Sequence, residues 1–408
     1  MLLQNIIIPQ CVRGFTLEAS RFDIEILNGA VADIKMAQAA PDSIALGMLI
    51  PGLVDAHVHI DKTYVVGEVG AADGDLSKAI ELMSQHRAKW TELNITQRME
   101  RALQDAYQHG TRAMRTHLDW DGGTAPVALA VFESLRRQWR GRITLQCVSL
   151  TSLDKFDNAE AGQQIAAELA RLNRDGDAQS GEAALLGAFV YRNQDMRAKL
   201  QRVFDLALTH DLKLDFHVDE GLDIDAVGLR IIAELTIVNR YQGKVTCGHC
   251  CSLAVQPLPE AHATLELCQR AGIHLIALPT TNLYLQGSWD STPVERGITR
   301  LKEAIAHELQ ASIATDNVAD GFYPYGSYDL LASYALGVQM AHLSPADVAL
   351  ATVTTHPAIA MGLPWDGKIR VGCPADLVLL AATNPYELID RVGQRRQVIR
   401  AGVALKAD

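Results

Sequence analysis

A chain of 408 residues with 48% hydrophobic and 21% charged residues is folded and globular rather than disordered or fibrous, and one α/β barrel with appendages fits that length. Its formal charge of -11, from 37 Lys and Arg against 48 Asp and Glu, with no basic run longer than Arg395-Arg396, excludes nucleic acid as the natural partner, because phosphate backbones are held by clustered cations. Seven cysteines scattered over so long a chain suit reduced thiols better than a disulfide framework.

The opening MLLQNIIIPQ has no cationic leader and is broken by Pro9, so it does not read as a secretory signal. Apolar stretches such as Ile44 to Val54 fall short of the ~20 residues that span a bilayer. A cytoplasmic protein without a membrane partner is expected. The first β-type pieces, LLQNIIIP and FDIEILNGAVADIKM, turn at Asn28-Gly29, a hairpin signal.

From residue 49 the rhythm becomes strand, loop, amphipathic helix, strand. The strands are LIPGLVDAHVHI, TRAMRTHLDW, ITLQCVSL, ALLGAFVY, LKLDFHVDE, KVTCGHC, IHLIALPT and ASIATDN. Helices are expected over Leu76 to Trp90, Thr96 to His109, Ala159 to Asn173, Met196 to His210, Ala226 to Tyr241 and Pro259 to Ala271. Such alternation predicts a parallel sheet that closes into a (β/α)8 TIM-type barrel, with chemistry at the carboxyl ends of its strands. The segment Gly287 to Gly297 (GSWDSTPVERG) is loop-like and is a candidate lid. The tail pieces DGKIRVGCPADLVLLA and RQVIRAGVALKA are β-type again, around Gly372 and Gly402. The expected organisation is therefore a barrel over 49–365 and a small β-sandwich domain built from both termini, 1–48 and 366–408.

The polar residues gather where a barrel puts its chemistry. His57 and His59 are two apart on a strand, hence on one face. A lone His-x-His suits hydrogen-bonded histidines as well as ligands. However, His217 in DFHVDE, His249 in TCGHC and Asp316 in ATDN end three further strands, and imidazole with carboxylate suits Zn²⁺ or Fe²⁺. Glu220 follows His217 by three residues, which on a regular strand sends it to the opposite face; a turn after Val218 brings it over the mouth as a proton shuttle, while a continuing strand leaves it a solvated acid.

These motifs resemble the amidohydrolase superfamily, and within it the cytosine deaminase branch. The likeness runs from PGLVDAHVHIDKT through RTHLD, HVDEG, GHC, NLYLQG, RGITRLKEA and TDNVADGFYPYG to VGCPADLVLL. It implies a metal-dependent hydrolase that deaminates an amino-substituted N-heterocycle, with a metal held by His57, His59, His217 and Asp316. It also implies Glu220 and His249 as acid and base partners, with Asp316 accepting a proton from water. Two-metal barrels of this type use a modified lysine on strand four; ALLGAFVYRN has none, so one divalent ion per subunit, Zn²⁺ or Fe²⁺, is expected. Where the cytosine deaminases have a glutamine after strand three, CVSLTSLDK offers Ser149, Thr151 or Ser152, with Ser152 the candidate substrate contact. The residue after the strand-eight ligand is Asn317 and the later aromatic is Phe322, while Gln286 in NLYLQG is a further candidate edge reader.

TDN also resembles triazine amidohydrolases, so removal of an N-alkyl amine, or opening of a cyclic amide, is the second reading; Glu220 favours the first. A non-catalytic barrel scaffold is the reading from another class, and unpaired carboxylates kept in a pocket speak against it. A small N-heterocycle is the expected partner, and a homo-oligomer is compatible with the sequence. Lys62 reads as an ion-pair partner of Asp61, and His117 as support for the strand-one ligands. Cys247, Cys250 and Cys251 do not form a zinc knuckle, since no second Cys pair follows. His356 is expected far from the site, and the Phe322 to Tyr325 aromatics as pocket wall or loop packing.

Overall fold

The computed structural model describes residues 1–38, 44–345, 348–390 and 396–406. Four strands come first: β1 (Leu2–Ile6), β2 (Phe22–Leu27), β3 (Ala30–Met36) and β4 (Met48–Pro51). Eight parallel strands follow: β5 (Leu53–Val58), β6 (Thr111–Asp119), β7 (Thr144–Leu150), β8 (Ala183–Val190), β9 (Leu214–Val218), β10 (Val245–His249), β11 (His274–Ala277) and β12 (Ala311–Ile313), neighbours in sequence order. They are β5 to β12 of a (β/α)8 barrel, as the sequence predicts. Every residue of β5, β9, β10 and β11 is buried, as expected for strands covered on both faces. The barrel closes between its first and last strands: Val58 bridges Asp316, Asp316 N–H donates to His57 O at 3.0 Å, and the Asp55 carboxylate accepts from Thr315 N–H at 3.1 Å and Oγ1 at 2.6 Å.

Capping residues set several of the helices. Thr91 and Asn94 form a reciprocal capping box at the start of Glu92–Gln108, and Asn158 accepts the first N–H groups of Ala159–Asp175. A helix over Val127–Trp139 was not expected from the sequence. It begins after Pro126 without a side-chain cap and contains β-branched Val127 and Val131, so local propensity is weak; burial of Leu129, Phe132, Leu135 and Trp139 holds it.

One expected strand is in fact two. The run LIPGLVDAHVHI divides at Gly52: β4 pairs antiparallel with β13 (Leu377–Leu380), Ile50 facing Val378, and β5 then enters the barrel. Gly52 makes the crossing because a Cβ there would lie 3.1 Å from Arg112 Cβ and 3.2 Å from Asp376 O. With β14 (Arg396–Arg400) and β15 (Val403–Ala404), β4 and β13 form a four-stranded antiparallel sheet, while β1 to β3 form a three-stranded one. Asn28 and Gly29 have φ of 52° and 77° and make the β2–β3 turn. The two ends of the chain meet through Val31 N–H to Cys373 O at 3.0 Å and Gly372 N–H to Val31 O at 2.8 Å. Phe22 and Ile24 share a core cluster with Leu377 and Ile399. Among the described residues no helix is long and apolar enough to cross a membrane.

Candidate active site

The side chains that the sequence places at strand ends converge in the barrel mouth. His217 Nε2 lies 3.2 Å from His59 Nε2, and Asp316 Oδ1 lies 3.2 Å from His59 Nε2 and 3.6 Å from His57 Nε2. His57, His59 and His217 form one candidate metal-binding group, and His57, His249 and Asp316 another. Both ring nitrogens of fully buried His57 lack a hydrogen-bond partner, a costly arrangement for an imidazole unless it serves as a ligand. Burial, with the neighbouring imidazoles, holds His57 and His217 well below the usual histidine range, so both rings are neutral and have lone pairs to give. Such a donor set fits a divalent ion such as zinc or iron. The backbone is strained where the chemistry sits: His249 and Asp316 adopt φ of 68° and 61°, outside the region that non-glycine residues prefer.

Glu220 reaches the cavity by a turn rather than by strand alternation. Asp219 has φ of 50°, which ends β9 and swings the next side chain inward. The Asp219 carboxylate holds the turn by accepting from Gly228 N–H at 3.2 Å and Leu229 N–H at 2.9 Å, the start of the following helix. Glu220 Oε1 then lies 3.3 Å from His249 Nδ1. Burial, and next the Asp316 charge, push the Glu220 carboxyl well above the usual range, so it holds a proton. Burial brings His249 down to about 4, and it is neutral. Asn282 Nδ2 lies 3.1 Å from His249 Nδ1; an amide N–H can only donate, so Nδ1 accepts and Nε2 carries the proton.

Other expected neighbours separate. The His117 ring lies 4.0 Å from the His57 ring, and its carbonyl oxygen lies 3.3 Å from His59 Nδ1, so strand β6 supports both strand-one histidines. Lys62 pairs with Asp119 at 2.7 Å rather than with Asp61, whose Oδ2 accepts from Asp119 N–H at 2.9 Å. His356 Nδ1–H donates to Ala311 O, 2.8 Å away at the opening residue of β12, the end of the barrel remote from Asp316. No disulfide joins the cysteines around His249: Cys247, Cys250 and Cys251 are buried thiols.

A cavity of about 270 Å³ opens over this cluster, lined by His59, His217, Glu220 and His249 on the reactive side. Trp120, Phe189 and Phe322 supply aromatic walls, and Thr151, Ser152 and Asn317 also line it. Thr151 Oγ1 is engaged with Trp120 O at 3.1 Å and Ser149 Oγ with Gly187 N–H at 3.2 Å, which leaves Ser152 as the exposed hydroxyl after β7. Asn317 Nδ2 donates to Asp320 Oδ2 at 2.7 Å, and Asp320 also accepts from Phe322 N–H at 2.8 Å, so Asn317 fixes the loop that presents Phe322. Gln286 is buried outside the cavity lining and packs toward Gly297. The expected lid, Gly287 to Gly297, does not line the cavity either; Trp289 instead packs on Tyr284, and the helix Leu76–Arg87 covers the mouth with Leu76, Ile80, Met83 and Arg87.

Sequence reasoning missed Gly248. It faces His217 in the β9–β10 register, and a Cβ there would stand 2.9 Å from His57 Cε1 and 3.0 Å from Nδ1. Gly248→Ala is expected to displace the His57 ring and weaken metal binding about 10- to 100-fold with the barrel intact, measured by chelator competition and circular dichroism.

Residues 80–404 match the model of the amidohydrolase family. The chain belongs to the amidohydrolase family. This amidohydrolase is 37% identical to the pterin deaminase of Rhizobium rhizogenes (strain K84), over 98% of its own length and 92% of that protein. It is 25% identical to the N-isopropylammelide isopropyl amidohydrolase of Pseudomonas sp. (strain ADP), over 95% and 94%. Its fold superposes on the crystal structure of 5-methylcytosine deaminase from Klebsiella pneumoniae liganded with 5-fluorocytosine with a TM-score of 0.82 at 25% identity, covering 100% of this chain and 98% of the other.

Proposed function

We propose that this amidohydrolase deaminates an amino-substituted N-heterocycle, a pterin-type ring foremost, giving the ring carbonyl and ammonia. The observation that carries the reading is the buried Glu220 carboxyl, 3.3 Å from His249 and raised by burial above the usual range, at the edge of a three-histidine, one-aspartate cluster. His57, His59, His217 and Asp316 would hold one divalent ion. Bound there, such an ion lowers the pKa of water toward neutrality and polarises the reacting carbon's substituents.

The protein's own groups supply the rest. Glu220 gives its carboxyl proton to a ring nitrogen next to the amino-bearing carbon, making that carbon electrophilic. Asp316 takes the proton of the attacking water, and His249 Nε2–H faces the oxygen that adds. Glu220, now a carboxylate, takes the hydroxyl proton of the adduct as the carbonyl forms and passes it to the departing amine, which leaves as ammonia, and the proton held by Asp316 restores the Glu220 carboxyl. The aromatic walls at Trp120, Phe189 and Phe322 hold a planar ring. Ser152, short where a glutamine is expected in the cytosine deaminases, leaves room on that side, which supports a ring larger than cytosine. Similarity to the N-isopropylammelide relative supports a second reading, loss of an N-alkyl amine.

Ammonia release from pterin, aminopyrimidines and aminotriazines tests the reading. Turnover of an amino-heterocycle is expected, lost on treatment with a chelator and restored by Zn²⁺ or Fe²⁺. Release of an alkylamine alone would move the assignment to the second reading, and turnover that survives complete metal removal would overturn the metal's role.

A further inference from the structure

We propose that Lys62, held in place by Asp119, is a substrate-binding residue whose ammonium reads a ring carbonyl oxygen on the heterocycle; the inference rests on the deaminase reading for the identity of the ring. Lys62 lies three residues beyond His59, is only 3% exposed and lines the cavity together with His59, His217, Glu220 and His249. Its Nζ sits 5.1 Å from the centre of the Phe322 ring, one of the walls against which a planar ligand stacks. An ammonium has three N–H donors. One goes to Asp119 Oδ1 at 2.7 Å, and the others face a lining with no second carboxylate bonded to Lys62.

A purely structural ion pair accounts poorly for this arrangement. Asp119 already has a partner in Arg87, whose NH2 donates to Oδ2 at 2.7 Å, and its backbone N–H binds Asp61. The Asp61 and Asp320 charges also favour the ammonium, yet its hydrogen bond goes to Asp119, so its remaining N–H donors are left for a ligand's carbonyl oxygen to satisfy. Arg87 ends the helix that covers the mouth, so Asp119 anchors both the covering helix and the ammonium. Fixed in this way, Lys62 meets a bound ring at a defined edge of the cavity.

The test compares 2-amino-4-oxopteridine with 2-aminopteridine, which lacks the carbonyl, on wild-type protein and on Lys62→Met. The variant is expected to lose roughly 100-fold or more in kcat/KM and in affinity for the oxo ring, and only a few-fold for the other, because a donor site discriminates by the acceptor it is built for. Metal content and melting temperature stay at wild-type values. Asp119→Asn, which loosens the ammonium, changes the oxo preference in the same direction. Should Lys62→Met fail to fold, Lys62→Gln keeps one neutral donor and gives an intermediate preference. Equal losses on both rings, or loss of metal with the lysine, overturn the proposal. Equilibrium binding, followed by pteridine fluorescence, separates the two readings: a wild type that turns over neither ring sinks the deaminase reading, and binding with no oxo preference sinks the role of Lys62.

Discussion

Glu220→Gln is expected to retain a full complement of metal and to lose about 1,000-fold or more in turnover, since a positioned general acid contributes on the order of 10²–10⁴ and here serves two transfers. The carboxyl lies 3.3 Å from His249 but belongs to none of the three candidate metal-binding groups, so removing its proton leaves the ligand set untouched. Glutamine matches it in shape and can donate an N–H, so ring binding survives while proton transfer does not. The readouts are ammonia release and metal analysis of the same preparation. A variant with wild-type turnover would falsify the shuttle assignment, and one without metal would make Glu220 part of the ligand sphere instead. Glu220→Asp, shorter by one methylene, is expected to recover a fraction of the activity, because its proton is right and its reach is wrong.

That the site could be read from the sequence at all follows from the barrel. Parallel strands carry their reactive residues at one end, so His57, His59, His217, His249 and Asp316 declare their meeting place by position in four strand-like segments, two of the residues on the same one. What periodicity could not carry was anything set by a turn or by a neighbour. Glu220 faces the cavity because Asp219 is left-handed and caps the next helix, a fact about residues 219 to 229 together. Gly52 splits an apolar run that alternation reads as one strand, and only the approach of Arg112 and Asp376 explains it. The pairing of Lys62 with Asp119 instead of Asp61 depends on strands 57 residues apart in the chain. The covering helix was legible as a helix but not as a cover, because the burial of its face is decided by what lies beneath it.

The polar layer under the site was equally silent in sequence, and it sets the largest expected effect on stability. Arg115 and Asp215 are both fully buried inside the barrel, with Arg115 NH1 at 2.7 Å from Asp215 Oδ2. Arg115 also donates to Gln146 Oε1 at 2.9 Å, Thr246 Oγ1 at 3.2 Å and Ala360 O at 3.3 Å, so its guanidinium ties β6, β7, β9 and β10 to the helix that follows the barrel. Two residues further along β6 and β9 stand His117 and His217, one layer up and facing the same interior. Replacing either charge alone strands the other in a fully buried layer: Arg115→Met or Asp215→Leu is expected to cost about 3–5 kcal/mol in urea denaturation. The double replacement is expected to cost clearly less than the sum, because the desolvation of both charges disappears with them. The singles are also expected to weaken metal binding, since the lower layer sets the height at which His117 and His217 sit. Single variants that cost under about 1 kcal/mol would show that water enters the barrel floor and that the pair is a surface bridge in energetic terms.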